Sequence, residues 1–287
     1  MTPLRKRFSE DLKLAGYSKR TQESYIYSVS KLAQYWGKSP ENISNEDLRQ
    51  YLLFHKEKYA PNTTTMALCA IKLLFEKTLN RPMPVFNLTR QKKKNKLPVI
   101  LSREEVKLLL STTNILRYRA LFTLIYSCGL RLREATTLEV RNIDSRRMTV
   151  KVENGKGGYD RYIPLPYATL DLLRAYYRAH GNPILLFPGP GQGEKNEPVS
   201  KSTIPEKTVW DVFKKVVIQS GINKKAHPHT LRHSYATHLL EDGVDIRVIS
   251  EYLGHKSLES TLIYTHLTPL LKKGVYNKIN ALMRSVS

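Results

Sequence analysis

Apolar positions recur every three or four residues through the N-terminal part of the chain, the signature of packed amphipathic helices. SEDLKLAG carries Leu12 and Leu14 and stops at Gly16. In SKRTQESYIYSVSKLAQYWG, Tyr25, Val29, Leu32 and Trp36 share one face, and Gly37 supplies a C-terminal stop. SNEDLRQYLLFHKEKY opens with Ser44 or Asn45 as N-cap and sets Glu46 and Asp47 in its first turn. PNTTTMALCAIKLLFEKTL begins after Pro61 and stays apolar through Leu79. Four such segments predict a small helical bundle over residues 1–88.

The pattern then breaks. RPMPVFNLTRQKKKNKLP is interrupted by prolines and dense in positive charge, so it cannot continue a helix and does not resemble a core. It reads as an extended basic linker over residues 89–97. Two readings of it stay open: a solvated spacer, or a strap whose Arg90, Lys92, Lys93, Lys94 and Lys96 follow a phosphate backbone. Helical periodicity resumes after Ser102, an N-cap with Glu104 and Glu105 behind it, in SREEVKLLLSTT and LRYRALFTLIYSCG. RNIDSRRMTVKVENGKGGYDRYIPLP predicts short strands, the last two joined at NGKGG. From Tyr167 onward the pattern is mostly helical, apart from the Gly- and Pro-rich FPGPGQGEKNEP. Residues 98–287 therefore predict a second domain, and the whole chain is mainly α with a small antiparallel sheet.

Composition sharpens the picture. Lys and Arg number 47 against 25 Asp and Glu, a formal net charge of +22, so the natural partner is a polyanion, nucleic acid first. No apolar run reaches the roughly 18 residues a membrane span needs, and no signal-peptide pattern is present. Cys69 and Cys128 sit in apolar surroundings, MALCAIKLL and LIYSCGL, and are expected to be buried free thiols in a reducing cytoplasm.

HPHTLRHSYATHLL, residues 227–240, raises the chemical question, because its Leu231, Ala236, Leu239 and Leu240 predict a helix with one buried stripe that also carries four histidines and an arginine. His229 and His233 stand at i and i+4, a zinc-compatible spacing, yet no glutamate follows His229 as HExxH requires and no cysteine is near. Magnesium would need carboxylates that the region lacks. No metal or other cofactor is expected. Polar residues at four other places complete a different set: Arg131 and Glu134 in YSCGLRLREATTL, Lys156 in ENGKGGYDRYIP, His255 in ISEYLGH and Tyr264 in STLIYTHL. Phosphodiester chemistry without a metal needs guanidiniums to neutralise the phosphorane, a histidine donor, a lysine acid for the leaving oxygen and a hydroxyl nucleophile. Arg131, Arg232, His229, His255, Lys156 and Tyr264 can fill those roles.

In order and wording these segments resemble the tyrosine recombinase (phage-integrase) family, in the style of its Xer-type and integron-type members. GLRLRE is similar to the family's first arginine box, GKGGYDRYIPL to its hairpin lysine, and HPHTLRHSYATHLLEDGVDIRVISEYLGHKSLESTLIYTH to its long second box. GYSKRTQESYIYSVSKLAQYW resembles its helical core-binding domain, so the likeness covers nearly the whole chain. The resemblance implies that Arg131 and Arg232 clamp the scissile phosphate with help from His229 and His255. Lys156 would protonate the leaving 5′-oxygen, Tyr264 would form a 3′-phosphotyrosine, and Glu134 would orient its neighbours. It further implies double-stranded DNA with an inverted-repeat core site, a homotetramer or a heterotetramer with a related recombinase, and a C-terminal helix in TPLLKKGVYNKINALM that docks on a neighbouring protomer. His233 and His238 are expected to support their helix from behind. A topoisomerase-like nicking and resealing enzyme and a non-catalytic DNA-binding accessory protein are the alternatives.

Overall fold

The computed structural model describes residues 2–84, 97–153, 160–189, 200–255 and 257–265. The chain divides into two compact units, Met1–Asn95 and Lys96–Ser287. Arg90, Lys92, Lys93, Lys94, Lys96 and Lys156 lie outside the described residues, as does the C-terminal segment from residue 266 onward.

The first unit is built on α1 (Pro3–Leu14), α2 (Lys19–Trp36), α3 (Asn45–Lys58) and α4 (Pro61–Leu73), the last extended by a π-turn at Leu74–Thr78. Helix α1 starts well before the predicted SEDLKLAG: Thr2 caps the amide of Arg5, Pro3 sits where no amide bond is needed, and Phe8 joins Leu12 in the core. Ser44 rather than Asn45 caps α3, in a reciprocal capping box with Asp47. Phe8, Leu12, Leu32, Leu48, Tyr51 and Phe75 close the core. Cys69 is exposed, contrary to expectation. Helix α4 turns Ala67, Ala70 and Ile71 inward at i, i+3 and i+4, which leaves Cys69 off that stripe.

The second unit opens with α5 (Arg103–Thr112) and α6 (Leu116–Cys128), the short α7 (Leu132–Thr136), and strands β1 (Ile143–Asp144), β2 (Thr149–Val152) and β3 (Arg161–Pro164). It continues through α8 (Tyr167–His180), α9 (Glu206–Gln219), α10 (Pro228–Glu241), α11 (Ile246–Leu253) and α12 (Glu259–Leu262). Ser102 caps α5 in a box with Glu105. The strands form one antiparallel sheet in the order β1-β2-β3, with Val152 opposite Arg161 in the last pair. Helix α6 buries residues all round, as a central helix must.

Helix α10 departs from the one-stripe expectation. Its Thr230, Arg232, Ser234, Thr237 and His238 are buried along with Leu231, Ala236 and Leu240. Most of these polar groups have partners supplied by neighbouring segments: Ser234 accepts from the Leu101 amide at 2.9 Å, and His238 Nδ1 meets Tyr126 Oη at 2.9 Å. That satisfaction lets a helix this polar sit inside a domain. His238 thereby ties α10 to α6, the supporting part expected of it.

Candidate active site

Three arginines from distant positions converge on one carboxylate. Arg131 stands at the N-cap of α7, just past Gly129, and Glu134 at the third position of that helix returns a carboxylate to it. Glu134 Oε2 accepts the Arg131 backbone amide at 2.8 Å, and Oε1 accepts from the Arg131 guanidinium at 2.7 Å. Arg161 on β3 donates to both oxygens of the same carboxylate, at 3.1 and 2.7 Å. Arg232 Nη1 lies 3.9 Å from Glu134. Burial pushes the Glu134 carboxyl up, but the hydrogen bond and charge of Arg161, followed by Arg131, hold it at about 2.

The guanidiniums are also fixed by the end of α11. The last carbonyls of a helix have no partner within it and carry the negative end of its dipole. At α11 three consecutive carbonyls take one arginine each: Tyr252 from Arg161 Nε at 2.8 Å, Leu253 from Arg232 Nη2 at 2.7 Å, and Gly254 from Arg131 Nη2 at 3.0 Å. Gly254 makes this possible, since its φ is +60° and a Cβ there would lie 2.9 Å from the Arg161 guanidinium. Gly129 serves the same end on α6: at φ +59° its carbonyl accepts from Arg232 Nη1 at 2.6 Å, and a Cβ would strike the Tyr235 ring at 2.5 Å.

Arg232 is 4% exposed. Burial first, then the charge of Arg131, lowers its pKa to about 10, so it stays cationic at neutral pH. Three guanidiniums sharing one carboxylate leave an excess of positive charge in a buried place, which an anionic ligand would neutralise.

The histidines divide by contact. His255 Nε2 meets Arg232 Nη2 at 3.1 Å. A guanidinium can only donate, so Nε2 is the unprotonated nitrogen and Nδ1–H donates to Thr261 Oγ1 at 2.8 Å. Burial, then Arg232 and Arg131, lowers the His255 pKa to about 4. His229 is half-buried in the first turn of α10, its pKa lowered chiefly by burial and then by His227 and Arg232. Among the described residues no cluster of three or more His, Cys, Asp or Glu side chains could hold a metal ion.

Tyr264 follows α12 and is 2% exposed. Its ring sits among Ala236 and Leu240 of α10 and Ile249 and Leu253 of α11. Its hydroxyl lies 3.0 Å from His233 Nδ1. His233 therefore faces the tyrosine and does not back the helix, which corrects the expectation. The physical reason is helical spacing: His233, Ala236 and Leu240 at i, i+3 and i+7 form the stripe against which the ring packs. Arg232 and Arg131 pull the Tyr264 pKa down, yet burial outweighs them and the net shift is upward.

Sequence reasoning thus assembled Arg131, Glu134, Arg232, His255 and Tyr264, gave His233 the wrong part, and missed Arg161. The signal for Arg161 was its register two residues from the fully buried Ile163 on a short strand.

The phage integrase family model matches residues 100–270, more than half of the chain, and the N-terminal SAM-like domain of phage integrases matches residues 4–85. The chain belongs to the phage integrase family. It is 34% identical to the tyrosine recombinase XerA of Pyrococcus furiosus over 280 residues, 96% of this chain and 93% of the relative. The crystal structure of XerA recombinase superposes with a TM-score of 0.55 at 28% identity, over 96% of this phage integrase and 97% of that chain. The XerH recombinase in a post-cleavage complex with its palindromic difH substrate shares the fold at a TM-score of 0.67 and 22% identity, over 89% and 78% of the two chains. This phage integrase is accordingly an enzyme of the tyrosine recombinase class, a site-specific recombinase, and a non-catalytic accessory role is not favoured. No helix among the described residues is long and apolar enough to cross a membrane.

Proposed function

We propose that this recombinase cuts duplex DNA by attack of Tyr264 on a phosphodiester held by Arg131 and Arg232. The observation that carries the proposal is the shared scaffold: the α11 carbonyls fix the guanidiniums, and the helix pair α10–α11 that buries Arg232 also seats the Tyr264 ring. Each guanidinium neutralises a non-bridging oxygen as negative charge builds on the phosphorane. His229 assists at the same phosphate, His255 assists through Arg232, whose guanidinium it accepts from, and Glu134 with Arg161 holds Arg131 in place. Lys156 supplies the proton for the leaving 5′-oxygen, and the product is a 3′-phosphotyrosine. The covalent bond conserves the energy of the cleaved phosphodiester, so rejoining needs neither nucleotide nor metal. Residues 1–88 form a core-binding domain and residues 98–287 the catalytic domain, joined by a basic linker whose lysines and Arg90 follow the backbone. On an inverted-repeat site in cytoplasmic DNA, four protomers, identical or paired with a related recombinase, exchange strands. The palindromic difH substrate bound by XerH, which has this fold, supports an inverted-repeat site as the partner.

The test is a nicked suicide duplex carrying the protein's binding site, with EDTA present. Wild-type protein should form an SDS-stable adduct, whereas Tyr264→Phe should bind with similar affinity and form none. An adduct from the Phe variant, or none from wild type on its proven site with any partner recombinase supplied, overturns the proposal.

A further inference from the structure

The Tyr264 hydroxyl must lose its proton in the attack, and the arginines alone do not remove it, because burial keeps the phenol more basic than a free tyrosine. A proton acceptor has to lie within hydrogen-bond reach of that oxygen, about 2.6–3.2 Å. His233 Nδ1 is there, at 3.0 Å. The two rings are 5.9 Å apart between centroids and tilted at 49°, so the imidazole addresses the hydroxyl and does not stack on the phenol.

Both partners are held. His233 extends from a buried turn of α10 between Arg232 and Ser234, each fully or nearly fully buried. The Tyr264 amide donates to the Thr261 carbonyl at 3.0 Å, and its ring is locked by Ala236, Leu240, Ile249 and Leu253. The titratable and charged groups around the pair are Arg232, His227 and His229 from α10, His255 beyond α11, and Arg131 at the start of α7. Burial first, then Arg232, His227 and His229, lowers the His233 pKa to about 4. At neutral pH the ring is therefore uncharged and has one nitrogen free of a proton. With that proton on Nε2, the tyrosine hydroxyl donates to Nδ1.

We propose that His233 is a catalytic residue, the base that takes the Tyr264 hydroxyl proton during cleavage and returns it during ligation. The proposal rests on Tyr264 being the nucleophile. In the forward step the Oη–H bond breaks and its proton passes to His233 Nδ1, giving an imidazolium. An Oη electron pair forms the bond to phosphorus, and the bond from phosphorus to the 5′-oxygen breaks. That oxygen keeps its electron pair and takes a proton from Lys156. Ligation reverses each event, so a full cycle leaves every proton where it began. Transfer accompanies bond formation, because an oxygen joined to phosphorus is no longer basic. The phosphodiester anion also offsets Arg131 and Arg232 and raises the proton affinity of His233 as the substrate arrives.

Single-turnover cleavage of a nicked suicide duplex by the full chain tests this. His233→Gln keeps a hydrogen-bond acceptor and loses the base. Its cleavage rate should fall about 100- to 10,000-fold, with DNA affinity and thermal midpoint close to wild type. Between about pH 7 and about pH 9 the wild-type rate should stay flat, whereas the His233→Gln rate should climb about tenfold per pH unit as hydroxide replaces the base. Added imidazole should partly restore His233→Ala, which also serves if the Gln variant does not fold. A His233→Gln rate equal to wild type overturns the proposal. So does a slow rate with the wild-type pH profile and no imidazole response, the outcome of a packing role. Tyr264→Phe separates the two claims. An adduct persisting in that variant removes the nucleophile and this proposal together. An adduct absent there, beside normal cleavage by His233→Gln, removes only the base.

Discussion

Replacing Glu134 with glutamine should expose how much the arginine cluster depends on a single negative charge. The carboxyl is held at about 2 against an ordinary 4.5. A shift of that size corresponds to about 3 kcal/mol of stabilisation, at roughly 1.4 kcal/mol per unit. The side chain is 11% exposed, so little of this is forfeited to solvent screening. Because the folded pKa lies below the unfolded one, the contribution is fully present above about pH 4.5. It is lost as the pH falls through that value toward 2. Glu134→Gln should accordingly be less stable than wild type by about 3 kcal/mol at neutral pH. The gap should narrow only below about pH 4.5. Urea unfolding at a series of pH values measures it. A Trp36→Phe background leaves Trp210 of the two tryptophans to report on the catalytic unit. Adding Arg161→Met to Glu134→Gln should cost less than the sum of the single effects, with a coupling of about 1–3 kcal/mol. A neutral-pH gap below about 0.5 kcal/mol, the range of an ordinary surface substitution, would refute this view of the cluster. A gap that persists unchanged in strong acid would also refute it.

Lys156→Ala should regain cleavage on a substrate with a 5′-bridging phosphorothioate, because sulfur leaves without a proton, and Arg131→Ala should not; equal rescue of both, or of neither, would remove Lys156 as the acid. DNA affinity should fall steeply with salt, and neutralising Lys92, Lys93 and Lys94 together should flatten the slope of log K against log salt by up to about 0.9 for each phosphate that no longer has a lysine beside it. An unchanged slope would make the linker a spacer. Gly254→Ala should lower the cleavage rate far more than DNA affinity in the same single-turnover and gel-shift assays, because a Cβ would sit 2.9 Å from the Arg161 guanidinium and disturb the carbonyls that seat all three arginines.

Helical periodicity and capping residues carried most of the architecture, as at Ser102 with Glu105 and at Ser44 with Asp47, because those interactions are local in sequence. The site was legible where a side chain was unusual for its neighbourhood, as with Arg131 beyond the Gly129 break or Arg232 in an otherwise helical pattern. What stayed hidden depends on contacts between segments far apart in the chain. Arg161 reads as an ordinary charged strand residue until β3 brings it to Glu134 and to the end of α11. The same holds for α10, where burial reaches beyond the one predicted stripe because Ser234 and His238 find their partners in Leu101 and Tyr126, more than a hundred residues away. His233 was misplaced for a related reason: its stripe with Ala236 and Leu240 is visible in the sequence, but the tyrosine it faces arrives from a later turn.

Attack of Tyr264 on phosphorus at the arginine cluster underlies everything proposed for this site, and locating the covalent bond decides it. The complex trapped on a nicked suicide duplex can be digested with protease and nuclease and its modified peptide sequenced by mass spectrometry. The expected product is a nucleotide joined through its 3′-phosphate to Tyr264, with a free 5′-hydroxyl on the released strand. A nucleotide on Tyr252 or any other residue, or a released strand ending in a 5′-phosphate, would contradict it.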